Sequence, residues 1–137
     1  MTIFGKIIIG ITLTAGLLLF VYIGSSVFKY VTIIDDMCES YSYKTVVSPN
    51  GKYKAVIYQF DCGATTGFST QISILSAEKM LNDEPGNIFQ SDGHPEYGAP
   101  EILWLDDKHL NIHKRGNNQV YNQEESWGWN KIKITYK

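Results

Sequence analysis

A stretch of 22 residues from Ile7 to Phe28 contains no charged residue and no proline. As an α-helix it would be about 33 Å long, at about 1.5 Å per residue. The hydrocarbon core of a bilayer is about 30 Å thick, so the stretch predicts one transmembrane helix. A cleaved signal peptide is the competing interpretation. Its apolar core is usually about 7–15 residues and ends at small side chains, and here Gly24-Ser25-Ser26 is the one segment that offers such a site.

The charges flanking this stretch give its predicted orientation. Lys6 lies on the N-terminal side with no acidic residue, whereas Lys29 on the other side is soon followed by Asp35 and Asp36. Positive charge favours the cytoplasmic side, and a short tail before a folded C-terminal domain is typical of a signal anchor. We expect a cytoplasmic tail and anchor over residues 1–29, a juxtamembrane stalk over 30–43 and an extracytoplasmic domain over 44–137.

The composition changes beyond the anchor. All 14 acidic residues lie from Asp35 onward, together with 10 of the 12 basic ones, since Lys6 and Lys29 flank the apolar stretch. This part therefore carries a formal charge of -4 and has no basic cluster, which argues against nucleic-acid binding. Aromatic and β-branched residues occur throughout it, as expected of a folded domain rather than a disordered tail.

Two cysteines, Cys38 and Cys62, both fall on the predicted outer side of the membrane. In an oxidising compartment, an even pair in a small domain usually forms a disulfide. A reactive thiol is the alternative, but neither cysteine lies in a C-x-x-C motif that would lower its pKa. We therefore predict a structural disulfide between them.

The distal sequence alternates between apolar and polar residues with the period of β-strands. The strand predicted over 52–60 is apolar on both faces, follows an Asn50-Gly51 turn signal, and should be central in its sheet. Other strand segments share the same alternation, at 45–48, 69–75, 87–89, 101–105, 108–114 and 131–136, and a single helical turn is predicted at 77–81. The predicted fold is mainly β, an antiparallel meander or small sandwich of six or seven strands after the transmembrane helix.

Two segments resemble turns of known β-propeller repeats. Residues 48–56, Ser-Pro-Asn-Gly-Lys-Tyr-Lys-Ala-Val, are similar to the turn of TolB-type repeats, and residues 102–110 are similar to the equivalent segment one blade later. Two such turns cannot make a propeller, which needs at least about four blades. The resemblance thus implies a four-stranded meander and no function.

A second resemblance concerns residues 61–71, Asp-Cys-Gly-Ala-Thr-Thr-Gly-Phe-Ser-Thr-Gln. They resemble a group of small bacterial envelope proteins of unknown function that are anchored by a membrane helix or a lipid. This resemblance implies a bacterial inner-membrane protein with a single span and its C-terminal domain in the periplasm. It implies no catalytic residue.

Few residues suggest catalysis or metal binding. His109 and His113 would share a helix face, but on a strand they lie about 13 Å apart, too far for one ion. His94, with Asp92 or Glu96, is the one candidate for a small hydrolase. Known nucleophile and phosphate-binding motifs are lacking. We therefore expect no enzyme activity, no metal and no cofactor.

Aromatic residues near the C-terminus are the candidate interface. Trp127 and Trp129 lie two apart, so on a strand both indoles would face the core, the interpretation that we prefer. The alternative is that they form an interaction surface with Tyr121, since tryptophan and tyrosine are frequent anchors at interfaces.

The leading functional hypothesis is a membrane-anchored interaction module that binds another membrane or periplasmic protein. An immunity-like or inhibitor-like protein or an accessory subunit would fit its size and anchor. A small envelope hydrolase and a structural subunit of a membrane complex are the alternatives.

The anchor can be tested on the mature protein. Mass spectrometry should find residues 1–29 still attached, because the apolar stretch is too long and too poorly terminated for cleavage. Protease added to spheroplasts should digest the domain. A mature N-terminus near Ser25 or Ser26 would contradict the anchor, and a protected domain would reverse the orientation.

Overall fold

The protein consists of two compact units, Met1–Met37 and Cys38–Lys137. This computed structural model describes residues 3–35, 38–63, 66–129 and 131–137. The first unit is a helix and the second is a β domain, so the predicted fold class, mainly β after an N-terminal apolar helix, is confirmed.

Helix α1 spans Ile3–Asp35 and is apolar on all sides. Its segment Gly10–Lys29 has a mean hydropathy of 1.9 and none of it is buried within the protein. Polar side chains in this segment donate to carbonyls of the preceding turn, as Thr14 Oγ1 does to Gly10 O and Ser26 Oγ to Tyr22 O. The helix is therefore long and apolar enough to cross a membrane, although a signal sequence would share these properties.

The β domain has two sheets and one short helix. Its elements in chain order are β1 (Glu39–Val47), β2 (Tyr53–Asp61), β3 (Ser69–Ser76), β4 (Phe89–Asp92), α2 (Pro95–Gly98), β5 (Glu101–Asp106), β6 (His109–His113), β7 (Val120–Gln123), β8 (Ser126–Trp127) and β9 (Ile132–Tyr136). The first sheet has the order β1-β2-β3-β4-β7 and is antiparallel, and the second has the order β5-β6-β9-β8.

The first four strands form the predicted meander, with β2 inside the sheet as its two apolar faces indicated. The short strands β7 and β8 were not expected, because neither is long enough to display an alternating pattern. The helical turn predicted at 77–81 is not a helix, and the short helix lies at α2 instead. A further difference is the parallel pairing of β6 with β9, which arises because β7 joins the first sheet before the chain returns.

The main core lies between the inner faces of the two sheets. Inward residues alternate along each strand as the β period requires. Those of the first sheet are Ala55, Ile57, Ile72, Ile74 and Phe89, and those of the second are Ile102, Trp104, Leu110, Ile112, Ile132 and Ile134. At the sheet edges, Trp104 Nε1 donates to Val46 O at 3.0 Å and links β5 to β1.

A second, smaller core covers the outer face of the first sheet. Val56, Tyr58 and Leu75 pack there with Phe60 and Leu81, beneath the connection between β3 and β4. The Tyr58 hydroxyl donates to Glu84 O at 2.9 Å, and burial raises the pKa of Tyr58 to about 12. This second core explains why β2 is apolar on both faces.

Polar contacts fix the β3–β4 connection in place. Asn87 Oδ1 accepts the N–H of Ile74 and Asn87 Nδ2 donates to Ile74 O, both at 2.9 Å. The Gln71 side chain accepts the N–H of Gly86. A Cβ at Gly86 would lie 2.5 Å from Phe89 O, so no side chain fits there. Asp83 accepts the N–H of Ser40, which ties the connection to the start of β1.

The first hairpin is closed at both ends. At its turn, Gly51 takes a φ of 69° and donates to Ser48 O, consistent with the Asn-Gly signal. At its open end, Cys38 and Cys62, the predicted pair, are joined by a disulfide next to the last strand pair, Glu39 and Asp61. β1 thus begins inside the segment expected to be the stalk, residues 30–43, of which 36–37 lie outside the described residues.

The disulfide should contribute to stability mainly by restricting the unfolded chain. Replacing Cys38 or Cys62 with serine should lower the free energy of unfolding by about 2–5 kcal/mol. The double variant should cost no more than either single one, because all three remove one interaction. Urea unfolding measures the cost, and two freely labelled thiols in denatured, unreduced protein would contradict the bridge.

Candidate functional site

The β domain has two ends of different character. At the disulfide end lie the Cys38–Cys62 bridge and the loops after β2 and β4. At the opposite end, here called the turn end, three hairpin turns meet: residues 48–52, residues 106–109, and residues 127–129 with 131–132, between which residue 130 lies outside the described residues. Asn50 N donates to Asp107 Oδ1 at 2.8 Å, and Lys133 N donates to Lys108 O at 2.7 Å. The two segments with propeller-like turns are therefore joined here by a hydrogen bond.

Trp127 lies at the turn end and packs toward the inside of the domain. It is half-buried against the main core and meets the ring of Tyr53 edge-on, with centroids 5.7 Å apart. The preferred interpretation, a core position, therefore fits Trp127.

Trp129 is the most exposed aromatic residue described, with a relative exposure of 102%. The expectation that it faces the core with Trp127 is wrong, because β8 ends at Trp127 and the chain then turns. Gly128 has a φ of 70° and Lys131 a φ of 48°, and Lys131 N donates to Gly128 O. Strand alternation does not extend through such a turn, and the indole projects into solvent.

An open pocket of about 270 Å³ lies at the same end of the domain. It contains amines, a carboxylate, an amide and an aromatic ring, from Asn50, Lys52, Tyr53, Asp107, Lys108 and Ile132. The carboxylate of Asp107 is fixed by the N–H of Asn50. The pocket thus combines charged side chains with apolar surface, and it lies at the same end of the domain as the exposed indole.

The Asp106–His109 pair lies in the second of the three turns, next to the pocket residues Asp107 and Lys108. His109 Nδ1 lies 2.6 Å from Asp106 Oδ2, and Lys108 N donates to Asp106 Oδ1. The N–H of Lys108 and then the His109 side chain lower the pKa of Asp106. Both side chains are about half exposed, so the pair fixes the turn and is not enclosed in a cleft.

Tyr121 lies elsewhere. It is exposed on β7, at the edge of the first sheet, beside the register shift between β4 and β7. Trp127 belongs to the other sheet and Trp129 to the turn after it, and no ring contact among the described residues joins Tyr121 to either. The three predicted interface residues therefore do not form one surface.

His94, the hydrolase candidate, caps α2. Its Nδ1 accepts the N–H of Glu96 at 3.1 Å, and its ring contacts those of Phe68 and Tyr97. Asp92 instead accepts the N–H of Gly93. No ion pair joins His94 to a carboxylate among the described residues, and none of their His, Cys, Asp and Glu side chains form a group of three that could hold a metal ion.

Comparison with known proteins gave one family. A model described as a family of unknown function (DUF5412) matches residues 6–131, which covers both the apolar helix and most of the β domain. No curated protein and no solved structure matched the chain. Nothing in these comparisons indicates TolB-type repeats, so that resemblance extends no further than the two turns.

The two tryptophans provide a matched pair of variants. Trp127→Ala should lower the free energy of unfolding by about 2 kcal/mol, because a half-buried ring leaves a partial cavity. Trp129→Ala should change it by less than about 0.5 kcal/mol, as expected of a surface position. Urea unfolding followed by circular dichroism tests this, and equal costs would contradict the two placements.

Proposed function

The chain belongs to a family of unknown function (DUF5412), and we propose that it is a membrane-anchored binding module whose turn end binds another protein. The observation that carries the proposal is the fully exposed Trp129 at the turn end, where Asn50, Lys52, Asp107 and Lys108 help to line an open pocket. The partner is another membrane or periplasmic protein.

The anchor is supported by the apolar helix and by the family match, which includes the helix together with the β domain. The Cys38–Cys62 disulfide favours a domain in an oxidising compartment. With the resemblance to bacterial envelope proteins, these features favour an inner-membrane protein with its domain in the periplasm.

Trp129 has the properties of a binding anchor. Exposure of an indole to water is unfavourable. When an aromatic residue is a hot spot of an interface, its truncation to alanine weakens binding by about 2 kcal/mol or more. The ring stands on a turn that Trp127 and Tyr53 support through their edge-on contact. A partner would therefore bury an indole that the domain itself leaves in solvent.

The alternative functions have less support. A hydrolase would need His94 as a base, but its Nδ1 is occupied by the N–H of Glu96 and its ring packs between Phe68 and Tyr97. A broad exposed apolar patch would favour a structural subunit of a membrane complex. Leu103 and Leu105 on β5 are exposed at the edge of the second sheet, and Tyr41 and Tyr43 on β1 are exposed at the edge of the first.

A crosslinking experiment in intact cells tests the proposal. Trp129 is replaced with the photo-crosslinking residue p-benzoylphenylalanine in the full chain, and illumination should give a discrete protein adduct. The matched control carries the same residue at Tyr97, which is also highly exposed but lies at the disulfide end. Absence of an adduct at position 129, or equal adducts at both positions, would refute the proposal.

A further inference from the structure

The turn end is positively charged although the domain as a whole is acidic. Its exposed charged side chains comprise five lysines, Lys52, Lys79, Lys108, Lys131 and Lys133, and four carboxylates, Glu78, Asp106, Asp107 and Glu125, the last of which lines an open pocket together with Lys133. Lys79 and Glu78 belong to this end because Ala77 N donates to Lys52 O. Lysines thus outnumber carboxylates by one at the end of the domain that carries the projecting indole.

The disulfide end has the opposite charge. It carries six carboxylates, from Glu39, Asp61, Asp83, Asp92, Glu96 and Glu101, and three cations, from Lys114, Arg115 and Lys137. One of those cations, Arg115, is already paired with Glu101. The charges of the domain are therefore separated along its length, with the positive end at Trp129.

Three of the five lysines lie beside the candidate site itself. Lys52 and Lys108 line the pocket, and Lys131 belongs to the same turn as Trp129. We propose that the surface bound at the turn end is an acidic protein surface, held by the Trp129 indole with Lys52, Lys108 and Lys131 around it. This inference rests on the proposed function and specifies the chemistry of its partner.

Charge complementarity of this kind accelerates association and selects partners. Lysines are depleted in the centres of interfaces but suit their rims, where a long side chain can reach an opposing carboxylate and keep its hydration. The indole would then form the centre of the contact and the three lysines its rim.

An anionic bilayer is the other surface that indole and lysine would suit, but two aspartates disfavour it. Asp107 is fixed by the N–H of Asn50, and Asp106 by the N–H of Lys108. A uniformly anionic surface would repel both carboxylates, whereas a protein can place a hydrogen-bond donor opposite them. The open pocket at this end of the domain also fits a shaped surface better than a flat one.

The test uses native membranes that contain the full chain with p-benzoylphenylalanine at position 129. A triple variant, Lys52→Gln, Lys108→Gln and Lys131→Gln, is compared with a control of equal charge change, Lys44→Gln, Lys114→Gln and Lys137→Gln. Illumination at about 50 mM and about 300 mM salt varies the screening of exposed charges. The turn-end variant should reduce the yield of protein adduct about tenfold at low salt, as three exposed ion pairs would predict, and should abolish its salt dependence.

The outcomes separate this inference from the proposed function. An acidic protein surface is supported if the yield of protein adduct falls in the turn-end variant and at high salt. In the control variant the yield should change by less than about twofold. A protein adduct insensitive to both overturns the acidic surface and leaves the binding module standing. A phospholipid adduct, identified by its mass, overturns the inference in favour of a bilayer. No adduct at all refutes both.

Discussion

The β domain depends on the burial of strand β2 on both of its faces. Ala55 and Ile57 face the core between the two sheets, and Val56 and Tyr58 face the smaller core beneath the β3–β4 connection. These four side chains are essentially inaccessible to solvent. A strand buried on both faces cannot shift its register by one residue without exchanging the two sets, so β2 fixes the position of its neighbours β1 and β3.

The contacts that hold β2 also determine the two ends of the domain. β2 starts at Tyr53, whose ring supports Trp127, and ends at Asp61, next to the disulfide-bonded Cys62. The bonds from Asn50 to Asp107 and from Trp104 to Val46 then attach the second sheet to the first hairpin. The turn end is in this way attached to a strand that is buried on both of its faces.

A small domain of this kind has a limited core, and its polar contacts therefore matter for specificity. The β3–β4 connection covers the outer face of the first sheet and contributes Leu81 to the smaller core there. It is held there by Asn87, Gln71 and the hydroxyl of Tyr58, which satisfy backbone groups that burial would otherwise leave unpaired.

The sequence by itself determined the features that depend on local pattern. The length of the uncharged stretch specifies an apolar helix, the alternation over 52–60 and 69–75 specifies strands, and Asn50-Gly51 specifies a turn. Apolar residues on both faces of β2 were sufficient to place it inside a sheet. These features follow from period and turn chemistry, which involve residues only a few positions apart.

Tertiary structure decided the features that depend on residues far apart in the chain. The parallel pairing of β6 with β9 results from the departure of the chain to form β7, and no local pattern specifies that path. Sequence spacing could not show that Trp127 is half-buried whereas Trp129 is exposed, because strand alternation applies only until the chain turns at Gly128. Asn50, Asp107 and Trp129 come together at one end only because two sheets pack face to face, and that packing is a long-range property of the whole core.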